Sequence, residues 1–180
     1  MEPGRIIILT GAPGTGKTTV AALTAKESDR ARSVHMRTDR FYHDLSKGAV
    51  PPHLPESNKQ NQVVVEAILA AAQHFARNGY DVIVDGIIGP WFLEPWKRAA
   101  RTGAEIHYLV LRASREETLR RALGRAKLNP SANRELVAAL WGQFQHLGPY
   151  EAHAIDITDC SADEAAAMVK AAVAAGVMLL

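Results

Sequence analysis

The stretch Arg5-Ile6-Ile7-Ile8-Leu9-Thr10-Gly11-Ala12-Pro13-Gly14-Thr15-Gly16-Lys17-Thr18-Thr19 decides the fold. Its first half is continuously apolar and rich in β-branched residues, the pattern of a parallel strand buried on both faces. Its second half satisfies G-x-x-x-x-G-K-[ST] from Gly11 to Thr18 and opens a helical pattern over 16–27. Glycines let backbone N–H groups curl inward around an anion, and the helix start adds partial positive charge. Lys17 supplies a point charge for β- and γ-phosphates, and Thr18 offers its hydroxyl to Mg²⁺. Background residue frequencies make a chance match in 180 residues a roughly 1% event. Gly11, Ala12, Pro13, Gly14, Thr15, Gly16, Lys17, Thr18 and Thr19 are therefore expected to hold a nucleoside triphosphate, ATP with Mg²⁺. The motif alone does not separate a kinase from a motor or a switch.

Outward from this stretch, strand-length apolar runs alternate with helical patterns. Strands are expected at 5–10, 33–37, 80–84, 105–111 and 154–157. Helices are expected at 16–27, 58–77, 91–101, 114–125, 131–145 and 161–175. Ser114 with Glu117, and Ser161 with Glu164, read as capping boxes. Pro51, Pro52 and Pro55 exclude regular structure from 47–57. The alternation implies right-handed βαβ units and a sheet covered on both faces. Ligands of such sheets bind at the carboxyl ends of the strands, so the residues just after each strand carry the functional information.

The chain has 180 residues, 47% of them hydrophobic and 22% charged, which suits one domain over 1–180 with a full core. A net charge of +2 gives no bulk electrostatic case for nucleic-acid binding, and none is expected. The single cysteine, Cys160, forms no internal disulfide, in keeping with a cytoplasmic location. No run approaches the roughly 18 apolar residues of a membrane span. The apolar run Ile6–Leu9 is too short for a signal-peptide core.

Asp85 ends the third strand, where an acidic residue holds Mg²⁺ directly or through water in folds of this kind; the alternative is a turn-capping role before Gly86. Asp39 follows the second strand. It is placed to take the proton of an attacking hydroxyl and align it with the γ-phosphate, or else to cap a short helix from Arg40. His43 reads as a loop histidine. Arg37 and Arg40 either bind an anionic acceptor or are solvated. Trp91 either lines the acceptor cleft or packs in the core, whereas Phe92 and Trp96 read as core. Arg121 and Arg125 are four apart on one helix face, suited to closing over a nucleotide from a lid at about 124–132. Arg120 reads as a solvated partner of Glu116 or Glu117.

With these pieces placed, the chain resembles the P-loop small-molecule kinases, namely the shikimate and gluconate kinases and the chloramphenicol phosphotransferase-like group. The likeness rests on GAPGTGKTT, TDRF, GYDVIVDGIIGP and LRASREETLRRALGR. It implies a three-layer α/β/α fold with a five-stranded parallel sheet in the order 2-3-1-4-5. By the same likeness Asp39 is the general base and acceptor ligand, Arg121 stacks on adenine and Arg125 is a catalytic lid arginine. The segment 158–161 would line the adenine pocket. The implied activity is transfer of the γ-phosphate of ATP to a small-molecule hydroxyl by a monomer or weak homodimer. Shikimate and gluconate kinases often carry Asp-x-Asp where this chain has Arg37-Thr38-Asp39, so Mg²⁺ coordination differs. The segment PPHLPES leaves the acceptor open. A nucleotide or nucleic-acid-end kinase and an ATP-binding regulatory module are the competing readings.

Overall fold

The computed structural model describes residues 2–124 and 130–180, with the backbone alone described over 130–133. Its centre is a five-stranded parallel sheet of β1 (Ile6–Thr10), β2 (Ser33–Arg37), β3 (Asp81–Asp85), β4 (Ile106–Arg112) and β5 (Ala154–Asp156), in the order β2-β3-β1-β4-β5. The order implied by the resemblance is therefore the observed one. β1, β3 and most of β4 are buried along their whole length, as expected of strands with helices on both faces.

The helices are α1 (Lys17–Lys26), α2 (Thr38–His43), α3 (Asn58–Arg77), α4 (Glu94–Arg101), α5 (Arg115–Leu123), α6 (Pro130–Gln143) and α7 (Ala162–Ala174). The alternation of side chains along each strand divides the interior into two layers. Ile6, Ile8, Val82 and Val84 pack with Ile68 of α3 and Trp96 of α4. Ile7, Leu9 and Ile83 face the other way, against Val20 and Ala21 of α1 and Val169 of α7. Each fully buried aliphatic side chain contributes about 1.5–3 kcal/mol of transfer free energy.

The sequence expectations meet several local corrections. The helix expected over 91–101 is a 3₁₀ turn, Pro90–Phe92, followed by α4. Pro95 sits in the first turn of α4, where its missing N–H costs nothing. The proline-rich 47–57 segment holds one 3₁₀ turn, Pro55–Ser57. It is pinned to α3 by Gln60, whose side-chain amide bonds both the N–H and the C=O of Val50 at 2.8 Å. His43, expected in a loop, ends α2. Below β5 the edge of β4 is completed by the C-terminal residues. The Tyr108 N–H donates to Met178 O at 2.8 Å and the Leu180 N–H to Ile106 O at 3.0 Å, which satisfies backbone groups the short β5 does not reach.

Candidate active site

Parallel strands put their carboxyl ends on one rim, and the loop after β1 lies at its centre. Gly16, the N-cap of α1, has φ 96°, a left-handed conformation that a side chain would strain, and no side chain caps the helix start. The loop is braced from within. The Thr15 hydroxyl, buried, donates to Ala12 O at 3.0 Å, and Lys17 Nζ folds back to the same carbonyl at 3.4 Å. The loop is thus a preformed hollow with backbone amides, an ammonium group and the half-buried Thr18 hydroxyl at its mouth.

A cavity of about 160 Å³ opens beside this loop. Thr15, Gly16 and Thr19 form one wall, Arg121 a second, and Ile157 and Cys160 a third. Arg121 reaches over from α5, and its Nη1 lies 3.4 Å from Thr15 O. Glu117, one turn earlier, bonds Arg121 Nε and so orients the guanidinium. The same carboxylate accepts two 2.7 Å bonds from Arg120. Those hydrogen bonds, from Arg120 foremost and then from Arg121, hold the Glu117 carboxyl down to about 2. This corrects the first capping box. The Ser114 hydroxyl accepts from the Glu117 N–H at 3.2 Å, but the Glu117 side chain serves the arginines. The Ser114 N–H donates instead to Thr158 Oγ1 at 3.0 Å. Thr158 therefore ties the loop after β5 to α5, while Cys160 and Ser161 line the cavity. The second box, Ser161 with Glu164, is complete.

Asp85 is the last residue of β3, paired in register with Leu9 and Arg37. It is 3% exposed. Alternation places it on the same face as Ile83, toward α1 and the phosphate loop. It caps no turn. Its Oδ2 lies 3.4 Å from His35 Nε2, and its Oδ1 is buried with no hydrogen-bond partner among the described residues. A buried carboxylate oxygen without a partner is costly unless an ion or water satisfies it, and a carboxylate oxygen is a ligand of the kind that Mg²⁺ takes.

Asp39 does not cap α2. Arg37 is the N-cap, and Asp39 sits exposed in the first turn, where the helix dipole favours its charge. Burial, and then the Asp39 charge, push the Tyr42 hydroxyl up, which places that carboxylate near Tyr42. The start of α2 is set by Thr38. The Thr38 side chain lies so close to Gly86 that a Cβ there would stand 1.8 Å from Thr38 Oγ1. Asp39 is thus fixed next to the end of β3. Arg40 is exposed beside it on α2.

The loop after β3 is held by two residues that sequence reasoning passed over. Thr10 Oγ1 accepts from the Ile88 N–H at 2.8 Å, and the Tyr108 hydroxyl donates to Ile88 O at 3.0 Å. Both partners are far away in sequence, and no local pattern marks them. Beyond this anchor the Trp91 ring folds over Gly89, where a Cβ would meet it at 2.3 Å. The ring rests 5.7 Å from Phe144 and stays 48% exposed. Trp96 is fully buried and Phe92 packs against the core. Arg125 lies outside the described residues, as does most of the expected lid.

A rim phosphate loop on a 2-3-1-4-5 parallel sheet defines a P-loop nucleotide-binding protein of the kinase fold. The chain belongs to the family described as AAA domain, whose profile matches residues 7–141. No protein of curated function matches the sequence. Among solved structures, the chain is similar to the Mycobacterium tuberculosis APS kinase in complex with AMPPNP and APS, with a TM-score of 0.67 and 19% identity over 97% of this chain and 99% of that one. It is similar to the Deinococcus radiodurans tunicamycin resistance protein, at TM-score 0.63 and 22% identity over 98% of both chains. A gluconokinase from Sinorhizobium meliloti 1021 gives a TM-score of 0.59 and 16% identity over 96% of this chain and 93% of that one. These likenesses concern the fold. No helix among the described residues is long and apolar enough to cross a membrane.

Proposed function

We propose that this chain is an ATP-dependent phosphotransferase acting on a hydroxyl of a small molecule. The observation that carries the reading is the pairing of two sites on one rim. The phosphate loop and its adjoining cavity suit a nucleotide, and Asp39 stands across the end of β3 on a helix of its own.

The roles follow from chemistry. Loop amides and Lys17 bind the β- and γ-phosphates, and Arg121 covers the base in the cavity beside Thr15. Thr18 and Asp85 would hold Mg²⁺, which neutralises charge on the phosphates when bound. Asp39 accepts the proton of the acceptor hydroxyl. The acceptor oxygen then bonds to the γ-phosphorus as the bond to the β–γ bridging oxygen breaks and ADP leaves. Trp91 and Arg40 flank the acceptor.

A nucleotide or nucleic-acid-end kinase is the second reading. Arg37 and Arg40 favour it, because both are exposed beside Asp39 and form no ion pair among the described residues. The test is a panel of sugars, sugar acids, antibiotics, nucleosides and 5′-hydroxyl oligonucleotides with ATP, run on the native chain and on Asp39→Asn. A general base contributes roughly 10²–10⁴-fold. Asp39→Asn should therefore bind AMPPNP normally and lose transfer by that factor. Full transfer by Asp39→Asn refutes the base assignment, and no transfer to any acceptor refutes the kinase reading.

A further inference from the structure

The Asp85 carboxylate has two oxygens in different circumstances. Oδ1 is buried without a partner among the described residues, and Oδ2 faces His35 Nε2 at 3.4 Å. His35 belongs to β2, where its register partner is Ile83 and that of Arg37 is Asp85. The ring therefore leans along the strand to the diagonal neighbour on the same face, a reach that long side chains achieve between adjacent strands. The imidazole is 19% exposed and the carboxylate 3% exposed, so the contact is largely withdrawn from water. A carboxylate free to turn about its last torsion would present either oxygen to the phosphate loop. One held through Oδ2 presents Oδ1 alone.

We infer that His35 is a positioning residue that orients Asp85 toward the Mg²⁺ of the bound nucleotide. The inference rests on the magnesium reading of Asp85 given above. In the Nε2–H tautomer His35 donates to Oδ2, fixes the carboxylate plane and leaves Oδ1 directed toward the shell that Thr18 shares. Residues that orient metal-bound carboxylates in this way are worth about 10–100-fold in metal affinity.

The test measures AMPPNP affinity by calorimetry, with Mg²⁺ and with EDTA, for the native chain, His35→Leu, His35→Gln and Asp85→Asn. Thermal melts check that each variant is folded. His35→Leu removes the donor. His35→Gln keeps an amide N–H close to the position of Nε2. His35→Leu should lose about 10–100-fold of the gain in affinity that Mg²⁺ confers, and its metal-free affinity should stay native. His35→Gln should recover most of that gain. The inference is overturned if His35→Leu keeps the gain, if both His35 variants lose it equally, or if metal-free affinity falls in parallel. Loss of the gain in Asp85→Asn but not in His35→Leu refutes the role of His35 alone. Retention of the gain in Asp85→Asn refutes the magnesium reading of Asp85 and the His35 role with it.

Discussion

Gly86→Ala is the most informative single change, because it joins stability to the placement of Asp39. Gly86 follows Asp85 and its φ is not in the left-handed region, so alanine is allowed there by the backbone. The obstacle is Thr38. A Cβ on Gly86 would lie 1.8 Å from Thr38 Oγ1, 2.6 Å from Cγ2 and 2.7 Å from Cβ. Ordinary contacts lie near 3.5–4.0 Å. Turning Thr38 about χ1 relieves the first two overlaps but not the third, so the start of α2 must retreat by roughly 1 Å. Overpacking of this kind costs about 1–3 kcal/mol, and a chain of this size loses roughly 2–4 °C of Tm per kcal/mol. Because Asp39 is the next residue, the shift carries the carboxylate with it, and a 1 Å misplacement of a reacting group costs on the order of 10²-fold in rate. Urea unfolding of Gly86→Ala, Thr38→Gly and the double variant checks the argument. The cost of Gly86→Ala should fall below about 0.5 kcal/mol once Thr38→Gly has made room. An equal cost in both backgrounds would refute the steric account.

Three further outcomes are expected. Arg121→Ala should weaken ATP binding roughly 2–30-fold, the range of a cation–π contact of about 0.5–2 kcal/mol, and leave tripolyphosphate binding unchanged; calorimetry with both ligands decides it, and equal weakening would place Arg121 on the phosphates. Glu117 has a folded-state value near 2, below its ordinary value, so its stabilising effect is complete above about 4.5 and vanishes as pH falls through 2. Melting curves of the native chain and Glu117→Gln should therefore converge between those values, and a constant offset across that window would contradict the pairing. Trp96→Ala should destabilise by about 3–5 kcal/mol, since the ring is fully buried between the sheet and α3. A loss below about 1.5 kcal/mol in urea unfolding would show that the neighbours collapse into the gap.

The nucleotide half of the site was legible because its information is local. Gly11–Thr18 lies on consecutive residues, and the buried strand before it and the helix after it carry their own patterns. Helical spacing marked Arg121 as a candidate, and the structure sets its guanidinium beside Thr15 of the phosphate loop. The limits of sequence reading appear where two bonding solutions compete. Ser114 and Glu117 have capping-box spacing, yet Arg120 and Arg121 together claim the carboxylate with three guanidinium bonds, and the Ser114 N–H goes to Thr158 instead. The helix expected over 91–101 begins late, because the proline at 95 is tolerated only near a helix start.

The proposed acceptor half is encoded differently, and that explains why the acceptor itself stayed open. Asp39 owes its position to Thr38 wedged on Gly86, a contact across 48 residues of chain. The loop carrying Trp91 is pinned at Ile88 by Thr10 of β1, the strand beside β3, and by Tyr108 of β4, one strand further along the sheet. The proline-rich segment takes its shape from Gln60 and Asn61, which bond its carbonyls from α3. None of these ties has a spacing rule: those at Gly86 and Ile88 depend on strands already being paired in register, and those of Gln60 and Asn61 on the proline-rich loop folding back over the start of α3. His35 is the sharpest case. As an isolated residue in a weak strand it suggests nothing. Only the parallel register of β2 on β3 sets its ring against one oxygen of Asp85. The phosphate loop can thus be read from a motif, whereas the surroundings of Asp39 and Asp85 must be read from the pairing of strands.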